Sequence, residues 1–302
     1  MKKTAILILL LFTGMQTFAQ QDAQFTQYMY NTININPAYA GSRGVMSIFA
    51  LHRAQWVGLN GAPVTNTASI NTPLNDSNLG LGVSIINDKI GPTDENTISA
   101  DLSYSINTSE KFKLSFGLKA TANLFSLDIS RLNAVDSDPS IRDYNNKFTP
   151  NIGAGLYLHS DKAYVGFSIP NFIESNRYDD NEVAIFKERI NYYLIAGYVF
   201  DLDYNLKFKP ALLTKLVNGA PLQVDVSGNF MFNDKFTVGV AYRWSAAVSA
   251  TVGFQASDGL YIGYGYDLET TRLARYNSGS HEIFLRYEIF KRNNKINTPR
   301  FF

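Results

Sequence analysis

The chain has 302 residues, a formal net charge of +1 and no cysteine. Near-neutral charge gives no broad field for nucleic acid or acidic ligands. The lack of cysteine excludes a disulfide framework, thiolate chemistry and an acylated lipoprotein cysteine. Phe 21 and Tyr 18 are high counts, as expected where aromatic girdles mark two membrane interfaces.

Residues 1–19 read as a secretory signal peptide. Lys2 and Lys3 precede the apolar run Ala5 to Phe12, and Thr17-Phe18-Ala19 is an acceptable cleavage site. The run is too short for a membrane anchor, and no later stretch resembles a transmembrane helix. Residues 20–42 read as a periplasmic N-terminal segment. Phe25, Tyr28, Met29, Tyr30 and Ile33 fall at loosely helical spacing, and the segment is placed to tuck into a barrel mouth. Asn36-Pro37-Ala38-Tyr39-Ala40-Gly41-Ser42 is a turn-rich entry to the first strand.

Residues 43–290 are dense in strands of period two. Leu206, Phe208, Pro210 and Leu212 alternate with Lys207, Lys209, Ala211 and Leu213. Phe236, Val238, Val240 and Tyr242 alternate with Thr237, Gly239, Ala241 and Arg243. Such a period puts each set on its own face, one oily and one mostly polar. Strands are expected near 43–53, 63–73, 79–87, 95–107, 112–126, 147–159, 163–170, 188–200, 205–217, 221–232, 236–245, 248–256, 260–267 and 281–290. That is about fourteen, an even number as bacterial single-chain barrels require.

Two architectures suit this pattern. A soluble sandwich hides the oily face between sheets; a membrane barrel turns it to lipid. Link lengths favour the barrel. Every even-to-odd link is short, whereas Ala54–Ala62, Asp88–Asp94, Leu127–Asn146, Asn171–Lys187 and Leu268–Ser280 are long odd-to-even links. Two odd-to-even links, near Asn218–Ala220 and Ala246–Ala247, are short as well. An up-and-down barrel with both termini periplasmic sorts its loops by parity; Greek-key crossings do not. The expected fold is therefore an all-β, transmembrane up-and-down antiparallel barrel of the outer membrane. A basic tail, residues 291–302, follows the last strand and ends in Arg300-Phe301-Phe302. It reads either as a disordered end or as a peptide that docks on a partner or plugs its own lumen.

Enzyme chemistry is sparse. His52, His159 and His281 lie on different strands, and no HExxH, EF-hand loop, P-loop or GxSxG is present. His52 or His281 could serve a rim hydrolase, but no triad spacing is legible; a histidine in a hydrogen-bond network is the plainer account. Asp136, Asp138 and Asp143 lack regular calcium-loop spacing. No cofactor or metal is expected. Polar-face charges of both signs, among them Asp101, Lys119, Arg243, Glu282 and Arg286, either pair across the lumen or line a wet passage. In the loop from Arg53 to Pro63, Trp56 can anchor at the interface, and Gly58 and Gly61 permit tight turns; an ordinary surface loop has the same properties.

Four linked motifs carry a resemblance. Phe25-Thr26-Gln27-Tyr28-Met29-Tyr30-Asn31, then Asn36 to Ser42, then Arg53-x-Gln55-Trp56-x-Gly58 with Gly61-Ala62-Pro63, and finally Pro299-Arg300-Phe301-Phe302, resemble the PorP/SprF family. That family's ending more often has Tyr before the final Phe. The resemblance implies a non-enzymatic outer-membrane protein of the type IX secretion and gliding machinery. It implies help in export or surface anchoring of large secreted proteins, often adhesins with a type B C-terminal domain, and association with periplasmic type IX secretion components. Candidate partner-binding residues are Tyr28, Tyr30, Asn36, Pro37, Tyr39, Arg53, Trp56, Arg300, Phe301 and Phe302. The expected surroundings are outer-membrane lipid and no nucleic acid. The alternative is a passive channel or hydrophobic-solute transporter.

Overall fold

A computed structural model describes residues 28–74, 77–131, 143–174 and 189–290. The signal peptide, Phe25, Asp136, Asp138 and the whole tail with Arg300, Phe301 and Phe302 lie outside the described residues. Among the described residues there are fifteen strands: β1 Met46–Ala54, β2 Val64–Pro73, β3 Leu79–Ile90, β4 Thr93–Asn107, β5 Lys113–Leu127, β6 Tyr144–His159, β7 Ala163–Ile169, β8 Asn191–Tyr198, β9 Phe200–Asp203, β10 Leu206–Val217, β11 Gln223–Phe232, β12 Phe236–Arg243, β13 Ala247–Gln255, β14 Leu260–Glu269 and β15 Ser280–Ile289. Every pairing is antiparallel, and β15 pairs with β1 from Met46↔Ile289 to Ala54↔His281. The sheet is thereby closed.

β8 and β9 form one stave. Gly197↔Ala211 and Phe200↔Phe208 keep a single register against β10. The interruption falls opposite Pro210, which has no N–H to donate. The barrel therefore has fourteen staves, as the alternation implies.

Burial is inverted relative to a soluble protein. On β4 and β5, Leu102, Tyr104, Phe116 and Leu118 point out, and Leu118 is 64% exposed. On the other face Ser99, Asp101, Ser103 and Lys119 are buried. Val240 on β12 is 63% exposed, whereas Glu282 on β15 is 0% exposed. Water would penalise so wide an apolar surface, and a bilayer covers it. Aromatics cluster at the short-turn end of this surface: Tyr198 and Phe200 have ring centroids 4.5 Å apart, Phe208 and Phe230 4.7 Å.

Loop parity holds with one revision. The links after β2, β4, β6, β9, β11 and β13 are all short. At the other end, residues 128–143 and 170–190 make the longest links. The link expected to be long between Asp88 and Asp94 is instead a tight turn. β3 and β4 stay paired to Ile90↔Thr93, and Gly91 supplies the left-handed φ of +55° that reverses the chain. Its polar residues belong to strand ends that rise above the apolar band.

Leu118→Arg tests the environment of the outer face. A cation there costs about 2–4 kcal/mol near a bilayer midplane and little on a water-exposed strand. Reversible unfolding from vesicles is expected to show the larger loss.

Candidate functional site

The lumen is occupied by the protein's own N-terminal segment. Three short 3-10 turns, Tyr28–Tyr30, Thr32–Asn34 and Pro37–Tyr39, cross the bore. Tyr28, Tyr30, Ile33, Ile35, Ala38 and Tyr39 are all buried, and Asn36 is 0% exposed. Gly41, with φ +71°, then turns the chain towards β1.

The segment folds this way for local reasons. The Asn36 side chain accepts from Ala38 N at 3.0 Å, capping the turn that Pro37 opens. The same side chain donates to Leu156 O on β6 at 3.0 Å. One residue therefore shapes the turn and ties it to the wall.

The wall is cut to fit. A methyl group added at Gly117 on β5 would overlap Pro37 and Ala38, and one at Gly155 on β6 would overlap Asn36. Gly80 and Gly82 on β3 lie equally close to Ala40 and Ile33. Between these glycines, wall donors meet the segment's carbonyls. Ser103 donates to Ala40 O and Ser168 to Ile35 O, each at 2.7 Å, and Lys119 Nζ donates to Ile33 O at 3.2 Å. Each such bond spares a buried carbonyl a desolvation cost of about 1–3 kcal/mol.

Aromatic contacts hold the opposite side. Tyr30 lies 4.8 Å from Phe284 and 5.5 Å from Tyr261, ring to ring, and the two tyrosine hydroxyls are 3.1 Å apart. Lys209 Nζ sits 5.2 Å from the centre of the Tyr30 ring. Tyr39 packs edge-on against Tyr157 at 5.5 Å and accepts from Arg43.

Many lumen charges are paired. Lys119 meets Asp101 and Arg243 meets Asp225, both at 3.0 Å. Arg53 meets Asp267 at 2.7 Å and Glu282 at 3.3 Å. Glu288 is shared by Arg43 and Arg286. These pairs run along the wall rather than across the lumen: Asp101 and Lys119, Asp225 and Arg243, and Arg53 and Glu282 are direct partners on neighbouring strands.

The candidate residues thus fall in two places. Tyr28, Tyr30, Asn36, Pro37 and Tyr39 meet inside the bore. Arg53 sits nearer the long-loop end, and Trp56 lies beyond it in the β1–β2 loop. Trp56 holds a left-handed φ of +46°, donates its indole N–H to Glu269 at 2.9 Å and donates its backbone N–H to the Ser280 hydroxyl oxygen at 3.2 Å. Val57 and Gly279 pair above it. The glycine cradle and its serine donors were not singled out from sequence; their one sign is glycine recurring on the non-oily face of β3, β5 and β6.

The histidines sit apart from this site. His52 Nδ1 is 2.7 Å from Asn66 Oδ1, and His281 Nδ1 is 2.6 Å from the Tyr264 hydroxyl, both on the outer face. His159 stacks on Tyr157 at 5.2 Å. Among the described residues no cluster of histidines and acids has metal-binding geometry.

A family described as type IX secretion system membrane protein PorP/SprF matches residues 17–287. The chain belongs to that family. No curated protein matches it. Among solved structures, the PorP/SprF chain is similar to the outer membrane protein Omp33 of Acinetobacter baumannii, at 10% identity over 81% of this chain and 98% of that one, with a TM-score of 0.48. The CymD monoaromatic hydrocarbon channel is similar at 14% identity over 88% and 94% of the two chains, with a TM-score of 0.49. The KdgM porin is similar at 9% identity over 81% and 99%, with a TM-score of 0.39.

Two substitutions test the cradle. Asn36→Ala removes a cap and a wall bond, at a cost of about 1–3 kcal/mol. Gly117→Val forces the segment off the wall at a similar cost. Limited proteolysis in detergent is expected to cut within residues 28–45 in Gly117→Val and not in the parent, with the strands left intact.

Proposed function

We propose that this PorP/SprF barrel is a non-enzymatic component that assists export or surface anchoring of large secreted proteins, adhesins with a type B C-terminal domain among them. The carrying observation is the occupied lumen. A bore crossed by Tyr28–Ala40 and laced with ion pairs is suited to holding partners on its rims and loops rather than to passing solutes. Short turns mark the periplasmic end in barrels of this kind, so the N-terminal segment and the tail would both face periplasmic type IX components. The Trp56 loop, bonded to Glu269 and Ser280, would face outward, towards the exported protein.

The passive channel is the competing reading, and the same segment opposes it. A hydrolase has less support still, because His52 and His281 point out of the barrel and bond to Asn66 and Tyr264.

Planar bilayers separate these readings. The intact chain is expected to give no stable conductance, and a variant lacking residues 28–42 to give discrete openings. Large, stable conductance from the intact chain would favour the channel. Affinity purification from mildly solubilised membranes is expected to recover a large secreted protein with the barrel; repeated recovery of the barrel alone would count against anchoring.

A further inference from the structure

The outer face carries a polar pair at a depth where other staves carry hydrocarbon. On β1 and β2 the lowest outward residues are Met46 and Thr72, and six positions higher stand His52 and Asn66. The same count from Leu79, Leu114, Leu206 and Phe254 reaches Ile85, Ala120, Leu212 and Val248. Six residues of a strand tilted by about 40° rise about 15 Å, in an apolar band about 25 Å tall. Exposed apolar side chains continue above that level on other staves, at Phe148, Trp244 and Leu268. His52 and Asn66 therefore lie within the band rather than above it.

The pair has bonding capacity left over. His52 Nδ1 lies 2.7 Å from Asn66 Oδ1, so Nδ1 carries the ring proton and Nε2 is an acceptor. The Asn66 amide keeps its N–H donors. Turning that amide over exchanges the roles and still leaves one donor and one acceptor. Among the described residues neither His52 Nε2 nor Asn66 Nδ2 has a further partner. Hydrocarbon offers them none, and a polar group unsatisfied there is costly. The polar residues of β3 and β4 differ, because they satisfy one another: Asn87 Nδ2 donates to Asp94 at 2.7 Å and to Asn96 at 2.9 Å. Around His52 and Asn66 the wall is low. Ala50 pairs with Ala68 just below them, and Ala54 with Val64 just above. Side chains this short let a second wall approach closely.

We propose that this face of β1 and β2 docks a second copy of the chain, side by side in the membrane, about a two-fold axis along the membrane normal. A second copy brings the same pair at the same depth by construction. Across the axis, His52 Nε2 of each copy accepts from Asn66 Nδ2 of the other. Two equivalent bonds then satisfy what lipid leaves open, and the contact is self-complementary, as a two-fold interface requires. The alanines at 50 and 68 supply the close approach. The inference needs lipid as the cover of the outer face, and it holds whether the barrel anchors or conducts.

The test uses the full chain in lipid vesicles. Because the chain has no cysteine, Ala50→Cys puts a single thiol beside the axis, and Leu212→Cys puts one at the same depth on another stave. Mild oxidation is expected to link the first variant into dimers and to leave the second monomeric. Single-molecule photobleaching at increasing lipid dilution reads the association itself. His52→Leu makes the outer surface more apolar, yet is expected to weaken dimerisation at least about tenfold. Exchanging the two residues, His52→Asn with Asn66→His, keeps one donor and one acceptor and is expected to restore most of it. Monomers at every dilution, equal linking of both cysteine variants, or an undiminished dimer in His52→Leu overturns the proposal. So do monomers that retain a glycolipid lost in His52→Leu, which would assign the pair to sugar hydroxyls of the outer leaflet.

Discussion

A backbone N–H or C=O left unpaired in hydrocarbon costs several kcal/mol. That constraint decides the architecture. The first and last strands must meet, and they do through the β1–β15 ladder. Once the sheet is closed, its two faces have unequal fates. The face bearing Leu102, Leu118 and Val240 meets lipid, and the face bearing Asp101, Lys119 and Glu282 is shut inside. Pro210 shows the rule at a single residue. It lacks a donor, and the pairing lapses directly across from it, at Tyr198 where β8 ends.

Closure creates a second problem. Eight staves make a bore that wall side chains can fill, whereas sixteen leave a channel. Fourteen staves need filler. Residues 28–40 supply it, and they do so with backbone as well as side chains. A stretch of chain brings carbonyls that need donors, and Ser103, Ser168 and Lys119 provide them. The glycines beneath let that backbone approach. Ion pairs neutralise what remains: Arg53 between Asp267 and Glu282 is a buried charge that would be costly alone and is tolerable when held by two carboxylates. The lipid-facing and lumen-facing halves of the molecule are thus two consequences of one closed ladder.

Much of this was legible in the sequence because period two is a local signal. Phe236 to Arg243 declares its faces without reference to any other strand. Loop parity was legible too, except where Asp88 and Lys89 looked like a loop and proved to be strand ends. What local pattern could not give is who meets whom. Asn36-Pro37 reads as a turn from its own residues, but its berth depends on Gly117 and Gly155, far along the chain. Arg53 finds Asp267 and Glu282 only because β1 lies beside β15. Of the candidate partner residues, Tyr28, Tyr30, Asn36, Pro37, Tyr39 and Arg53 have partners inside their own barrel, Trp56 bonds to Glu269 and Ser280 at the long-loop end, and those at the tail lie beyond the described residues.

The chain has no cysteine, so single spin labels can be placed at will. The most direct measurement is a label scan along β12, from Phe236 to Arg243, in vesicles, reading collisions with oxygen and with a water-soluble nickel complex. The account predicts that labels at 238, 240 and 242 meet oxygen, that those at 237, 239 and 241 meet little of it, and that the two sets alternate with period two. Equal access of the nickel complex to both faces, or oxygen contact on neither, would contradict lipid as the cover of the outer face.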